Sequence, residues 1–177
     1  MKSFSLVPFA SKIKIDPTIK ITGKIARQNN LLSLEYRLDG TAKIIIPDKV
    51  ASPNRQYNLW QHTCFELFLG LKDSTKYWEF NLAPDRSWNV FHFSNYRQDL
   101  AQELAFDTLP FKILPEQDTL QLNLEVDLTK IVSAQHSLEV GITTVIEDQQ
   151  QQLSYWALNH PGQQADFHCR DSFLIDL

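Results

Sequence analysis

Residues 60–69 read WQHTCFELFL, residues 77–82 YWEFNL and residues 88–94 WNVFHFS, and the two-residue period of these three runs decides the fold. In an extended strand, side chains two apart share a face. Thr63, Phe65, Leu67 and Leu69 therefore fall on one side of the first run, and Trp60, His62, Cys64, Glu66 and Phe68 on the other. The second run divides into Trp78, Phe80 and Leu82 against Tyr77, Glu79 and Asn81, and the third into Phe91 and Phe93 against Trp88, Val90, His92 and Ser94. Each run has one large apolar set suited to a core. The other face collects Trp, His, Cys, Glu and Asn, a mixture that water-facing strands seldom present.

The connecting segments GLKDST and PDRS hold turn formers, so the three runs are expected to form an antiparallel meander of two hairpins. Folding the first about Lys72 and Asp73 sets Glu66 opposite Glu79 and Cys64 opposite Asn81. Folding the second about Asp85 and Arg86 sets Glu79 opposite His92 and Asn81 opposite Val90. A slip of one residue would exchange the faces. The candidate ligand-binding residues are Trp60, His62, Glu66, Glu79, Asn81, Trp88 and His92, with Cys64 on the same face.

Working outward, Lys20–Arg27 and Leu31–Leu38 alternate around a polar RQNN turn, and Leu120, Leu122, Leu124, Val126 and Leu128 interleave with polar residues. Further strands are expected at residues 44–46, 138–147, 153–158 and 172–177. Helix signals are thin: at most a short helix near 97–106, with Leu100 and Leu104 turned inward, and one turn after Asp127. The chain is thus expected to be all-β, a two-sheet antiparallel β-sandwich. With 177 residues, no repeat and no Gly/Ser-rich linker, residues 1–177 are expected to form a single domain.

The composition, 43% hydrophobic and 11% aromatic, belongs to a folded globule. A formal charge of −4 and the lack of a long basic run argue against nucleic acid as a partner. No segment approaches membrane-spanning length, so no membrane partner is expected, and the amino terminus is too short in apolar residues for a secretion signal. A cytoplasmic location is expected. Two cysteines, Cys64 and Cys169, make no disulfide framework. The oligomeric state is left open.

The segments LWQHTCFELFL (59–69), YWEFNLAPDRSWNVFHF (77–93), WALNHP (156–161) and DFHCRDSF (166–173) resemble the bacterial DOMON-like proteins related to family 9 carbohydrate-binding modules. That resemblance covers most of the chain and implies a jelly-roll type of sandwich that binds sugars or haem. In sugar binders of this kind, tryptophans clamp the saccharide while carboxylates and amides hold its hydroxyls. Trp60 and Trp88, with Glu66, Glu79 and Asn81, are the matching positions. Haem-binding relatives ligate iron with Met and His, whereas the one methionine here is Met1.

Each candidate has a plainer role as well. Trp60 and Trp88 could close the end of a sandwich, and Trp78 and Trp156 are expected in the core. Glu66 and Glu79 could belong to a polar network satisfied by His92, Tyr77 and an arginine. His62, Cys64, His168 and Cys169 supply enough donors for zinc, but their spacing matches no compact zinc motif, and no metal is expected. His160, Arg170 and Asp171 could rim a pocket or lie in solvent. No nucleophile elbow, P-loop or dinucleotide glycine pattern occurs.

Three functions remain in view. The leading one is non-catalytic binding of a small carbohydrate or similar polyhydroxylated ligand, with no catalytic residue and no cofactor. A glycoside hydrolase or lyase using Glu66 and Glu79 is the alternative, and haem or metal binding through His62 or His92 is the second alternative.

Overall fold

The computed structural model describes residues 1–11, 13–50 and 52–177. Among these residues thirteen strands are formed: β1 (Lys2–Ser5), β2 (Val7–Pro8), β3 (Lys20–Gln28), β4 (Leu31–Asp39), β5 (Cys64–Leu71), β6 (Tyr77–Leu82), β7 (Trp88–Phe93), β8 (Ala101–Gln102), β9 (Phe111–Pro115), β10 (Thr119–Asp127), β11 (Leu138–Glu147), β12 (Leu153–Ala157) and β13 (Ile175–Asp176). They build two antiparallel sheets packed as a sandwich. The smaller runs β1-β3-β4-β10-β9, and the larger runs β2-β12-β11-β5-β6-β7-β8, with β13 paired to β11. No helix among the described residues is long and apolar enough to cross a membrane.

Strict alternation makes the smaller sheet one-sided. Leu32, Leu34, Tyr36 and Leu38 of β4 and Leu120, Leu122, Leu124 and Val126 of β10 point inward and are buried. They meet Phe65, Leu67, Leu69, Trp78, Phe80 and Leu82 of the larger sheet in one apolar core. Trp78 and Trp156 belong to that core, as expected. Tyr36 reaches across it to donate a hydrogen bond from its hydroxyl to the Glu66 backbone oxygen at 2.6 Å. The tie fixes the strand that carries Glu66.

Strands β5 and β6 are buried on both faces, because residues that follow β12 lie over the outer side of the larger sheet. Phe173 and Phe167 pack there on Phe68, Tyr77, Phe91 and Phe93 in a second apolar cluster. Two glycines permit the approach: a Cβ at Gly141 would come within 2.7 Å of the Phe173 ring, and one at Gly70 within 2.2 Å of the Arg170 guanidinium.

Several sequence expectations need correction. The first run is not a strand from Trp60: Asn58 takes a left-handed φ of 61°, and Leu59–Gln61 form a 3-10 turn before β5 starts at Cys64. The first hairpin is shifted by two, pairing Glu66 with Asn81 and Phe68 with Glu79, which leaves both faces intact. The second is shifted by one, pairing Glu79 with Phe91 and Asn81 with Asn89, so its faces are exchanged. The cause is an odd loop. Ala83 N–H bonds to the Ser87 oxygen at 2.9 Å around Pro84, Asp85 and Arg86, and Arg86 takes a φ of 78°. Folding about Asp85 and Arg86 presumes an even loop, and a change of one residue reverses every side chain beyond it.

A further correction is residues 97–106, where no helix forms. Arg97 and Asp99 adopt φ values of 53° and 52°, and the chain then enters β8 against β7. Leu100 and Leu104 point outward, 56% and 75% exposed. At residues 44–46 only an isolated bridge between Ile44 and Asp148 remains.

Candidate functional site

The outer face of the larger sheet is set by parity. Glu66 pairs with Thr143 and Asn81, and Val145 with Tyr155, so Glu66, Glu79, Asn81, Thr143, Val145 and Tyr155 share that face with Phe91 and Phe93. Beside the aromatic cluster a cleft of about 370 Å³ remains open. Glu66, Glu79, Val145 and Phe93 of the sheet line it, with Trp60 from the 3-10 turn, Tyr155 from β12, Arg97 and Leu100 from the segment before β8, and Phe167 and His168 from the segment after β12.

Two acids occupy this cleft with almost no exposure, 2% for Glu66 and 5% for Glu79. Glu66 accepts a hydrogen bond from the Thr143 hydroxyl at 3.3 Å through Oε2, while its Oε1 has no partner. Glu79 accepts from the Asn81 amide at 2.8 Å. Burial, and then the nearby Glu79, hold the Glu66 carboxyl well above the usual carboxylate range. Burial raises Glu79 to about 7, against the Asn81 hydrogen bond and the Arg97 charge, which favour its ionised form. Cys64 lies under the pair with its Sγ 3.7 Å from Asn81 Oδ1, and burial followed by Glu66 pushes its thiol up.

His168 covers Glu79 from above, its Nε2 3.8 Å from Glu79 Oε2. Its Nδ1 is 2.8 Å from the Tyr77 hydroxyl, which itself accepts the Arg97 backbone N–H at 3.1 Å. In the tautomer in which Tyr77 donates to Nδ1, the proton of the neutral ring sits on Nε2, facing Glu79. Burial and then the Arg97 charge lower the His168 pKa to about 4, so the ring is neutral near pH 7. Asp166 organises this rim. It accepts from Arg97 at 2.9 Å, from the Tyr96 hydroxyl at 2.7 Å and from the His168 backbone N–H at 3.1 Å. Burial opposes ionisation of Asp166, but these hydrogen bonds outweigh it and hold its pKa low.

Of the residues named from sequence, Trp60, Glu66 and Glu79 meet in the cleft and Asn81 supports its floor. Trp60 arrives by a different route, from the turn before β5, and rests edge-on against Phe91 at 6.2 Å. His62, Trp88 and His92 do not join them. The His62 side chain is 69% exposed and pairs with Glu147 at 2.7 Å. Trp88 belongs to the core, with the Arg55 guanidinium 4.2 Å over its ring. His92 shares the Trp88 face and has Nδ1 3.4 Å from Glu103. The odd hairpin loop explains both displacements. Cys64 and Cys169 are free thiols. Among the described residues, no three His, Cys, Asp or Glu side chains gather as they would around a metal ion.

Arg97, Tyr155, Phe167 and His168 were not named for the site. His168 lay in DFHCRDSF, but its position over Glu79 depends on a loop crossing that side-chain periodicity does not encode. The satisfying groups expected around the acids were His92, Tyr77 and an arginine. The observed donors are Thr143 to Glu66 and Asn81 to Glu79; His168 stands 3.8 Å from Glu79, Tyr77 bonds to His168 rather than to either acid, and Arg97 pairs with Asp166.

No protein-family model matches the chain, and no curated protein is significantly similar to it in sequence. Among solved structures, the chain is similar to a candidate carbohydrate-binding protein from Bacteroides uniformis, with a TM-score of 0.68 at 11% identity, over 98% of this chain and 84% of that one. A family 9 carbohydrate-binding module from Caldicellulosiruptor kristjanssonii, solved in complex with glucose, aligns with a TM-score of 0.48 at 11% identity, over 81% of this chain and 69% of that one. At such identity the first likeness is one of fold: the two-sheet antiparallel β-sandwich extends over nearly the whole chain.

Proposed function

We propose that the chain binds a small saccharide in the cleft between Trp60, Tyr155 and the Glu66–Glu79 floor, and releases it unchanged. The observation that carries this reading is the combination of aromatic walls with a dry, incompletely paired carboxyl pair in a space of about 370 Å³, a size usual for small-molecule pockets. Aromatic rings cover the apolar side of a pyranose, and carboxyl and amide groups exchange hydrogen bonds with its hydroxyls. The fold shared with the Bacteroides uniformis protein supports the same class of ligand, and we extend the reading to kinship with the DOMON-like proteins.

A second reading is glycoside hydrolysis by Glu66 and Glu79, favoured by the raised pKa of Glu79. It fits less well. Hydrolysis sets two carboxyl groups on either side of a glycosidic bond, whereas these two arise from one sheet floor, diagonally placed on neighbouring strands.

Titration of mono- and oligosaccharides, followed by tryptophan fluorescence, tests the proposal. Trp60→Ala should weaken binding of whichever sugar responds by about tenfold, the scale of one lost stacking contact, while leaving the melting temperature nearly unchanged. Trp88→Ala should instead destabilise the fold by about 3–5 kcal/mol as a core cavity. Equal affinity for wild type and Trp60→Ala would remove the stacking assignment, and steady release of a cleaved product would favour hydrolysis.

A further inference from the structure

Resting on the saccharide reading of this cleft, we propose that the ligand carries a protonated amino group seated at Glu66 and Glu79, an amino sugar rather than a neutral one. The groups facing the two acids are Thr143, Cys64, Asn81, Tyr77, His168 and Arg97. Together they leave Glu66 Oε1 without a partner and Glu79 Oε2 at 3.8 Å from the nearest nitrogen of His168, beyond hydrogen-bond length. Among the described residues neither acid forms a salt bridge with a lysine or arginine. The nearby cation, Arg97, is engaged by Asp166 at 2.9 Å.

At neutral pH burial holds the Glu66 proton and leaves Glu79 only part-ionised, so full ionisation of the pair awaits a cation between them. A sugar hydroxyl offers one proton and no charge. An ammonium group offers three donors and supplies the positive charge that the pair lacks. The surroundings suit it as well, since rings of Trp60, Phe93, Tyr155 and Phe167 line the same space and aromatic π systems attract cations. An N-acetyl group would lose the charge and bring bulk into the most enclosed part of the cleft.

Seating a cation there has a thermodynamic signature. Burial raises both carboxyl groups, so an ammonium that arrives already protonated displaces protons into the buffer, less the fraction that free amine takes up on binding. Calorimetric titration in two buffers of different ionisation enthalpy, near neutral pH, measures that release directly. The ligands are glucosamine, galactosamine and mannosamine, their parent hexoses, their N-acetyl forms, and cyclohexylamine as a ring-sized amine without hydroxyls.

An amino sugar should bind at least about tenfold more tightly than its parent hexose, with net proton release, and in Glu66→Gln the amino sugar should bind no better than the hexose does to the same variant. Amino sugars binding no better than hexoses, or Glu66→Gln retaining the preference, would overturn the inference and leave saccharide binding standing. Cyclohexylamine binding with proton release while every sugar fails would support the ammonium site and overturn the saccharide reading. Failure of all these ligands would overturn both.

Discussion

At the scale of single residues, the cleft leaves its mark on stability through two groups that titrate in opposite senses. Glu79 is raised to about 7 from an ordinary 4.5. The unfolded chain therefore gives up this proton at lower pH than the folded one, and stability falls as pH rises from about 4.5 to about 7. His168 is lowered to about 4 from an ordinary 6.5, so the unfolded chain gains a proton first, and stability is lost as pH falls from about 6.5 towards 4. Glu79→Gln removes the first effect, and with it the share of the Glu66 shift that Glu79 causes, which acts in the same direction. Relative to wild type, the variant should gain stability between about pH 5 and about pH 8, by up to about 3 kcal/mol. Urea unfolding at both values checks this, and an equal difference at the two would contradict the assignment. Glu66, Glu79 and Asn81 were legible because the period of two holds through β5 and β6. His168 was not, since its partner Glu79 is some ninety positions earlier in the chain and nothing local sets that distance.

At the scale of elements, the loop at Pro84, Asp85 and Arg86 decides which face of β7 meets the ligand cleft. Asp85 accepts the Ser87 backbone N–H at 2.7 Å, and Arg86 supplies the left-handed residue that closes a three-residue turn. The motif PDRS announces a turn but not its parity, and parity is what turns Trp88 into the core, sets His92 on the same side near the sheet's edge, and turns Phe91 and Phe93 to the outer face. Deleting Asp85 should restore an even loop and force β7 to slip by one. Phe91 and Phe93 would then compete with Trp88 and Val90 for the core, and the variant should lose its cooperative thermal transition and near-ultraviolet dichroism. A deletion that melts like wild type would mean that parity is set by packing alone. The longer strands β3, β4, β10 and β11 were legible because large apolar residues recur at period two on their inward faces, interrupted only at Gly23 and Arg27 in β3 and at Thr144 in β11. Strands β1, β2, β8 and β9 are short edge pieces with too few residues to show a period.

At the scale of the whole molecule, the inter-sheet core stabilises the fold without cross-links. Both cysteines are free and Cys64 is fully buried in β5, so the melting temperature should be the same with and without a reductant. A fall of many degrees on reduction would reveal a disulfide that this arrangement does not contain. The sandwich was legible from alternation alone, but its outer layer was not. Burial of both faces of β5 and β6 comes from a segment whose apolar residues, Phe167 and Phe173, are too few and too irregular to announce a covering role.

That covering segment has a consequence for biosynthesis. Residues 165–173 are translated after every strand except β13, and they contribute Phe167 and His168 to the cleft. A chain still emerging from the ribosome can pair its sheets while Phe68, Tyr77, Phe91 and Phe93 stand open to solvent, a surface of the kind that attracts chaperones. Ligand cannot be captured in its final form during that interval. Docking of this segment on the paired sheet is therefore the step that completes the cleft.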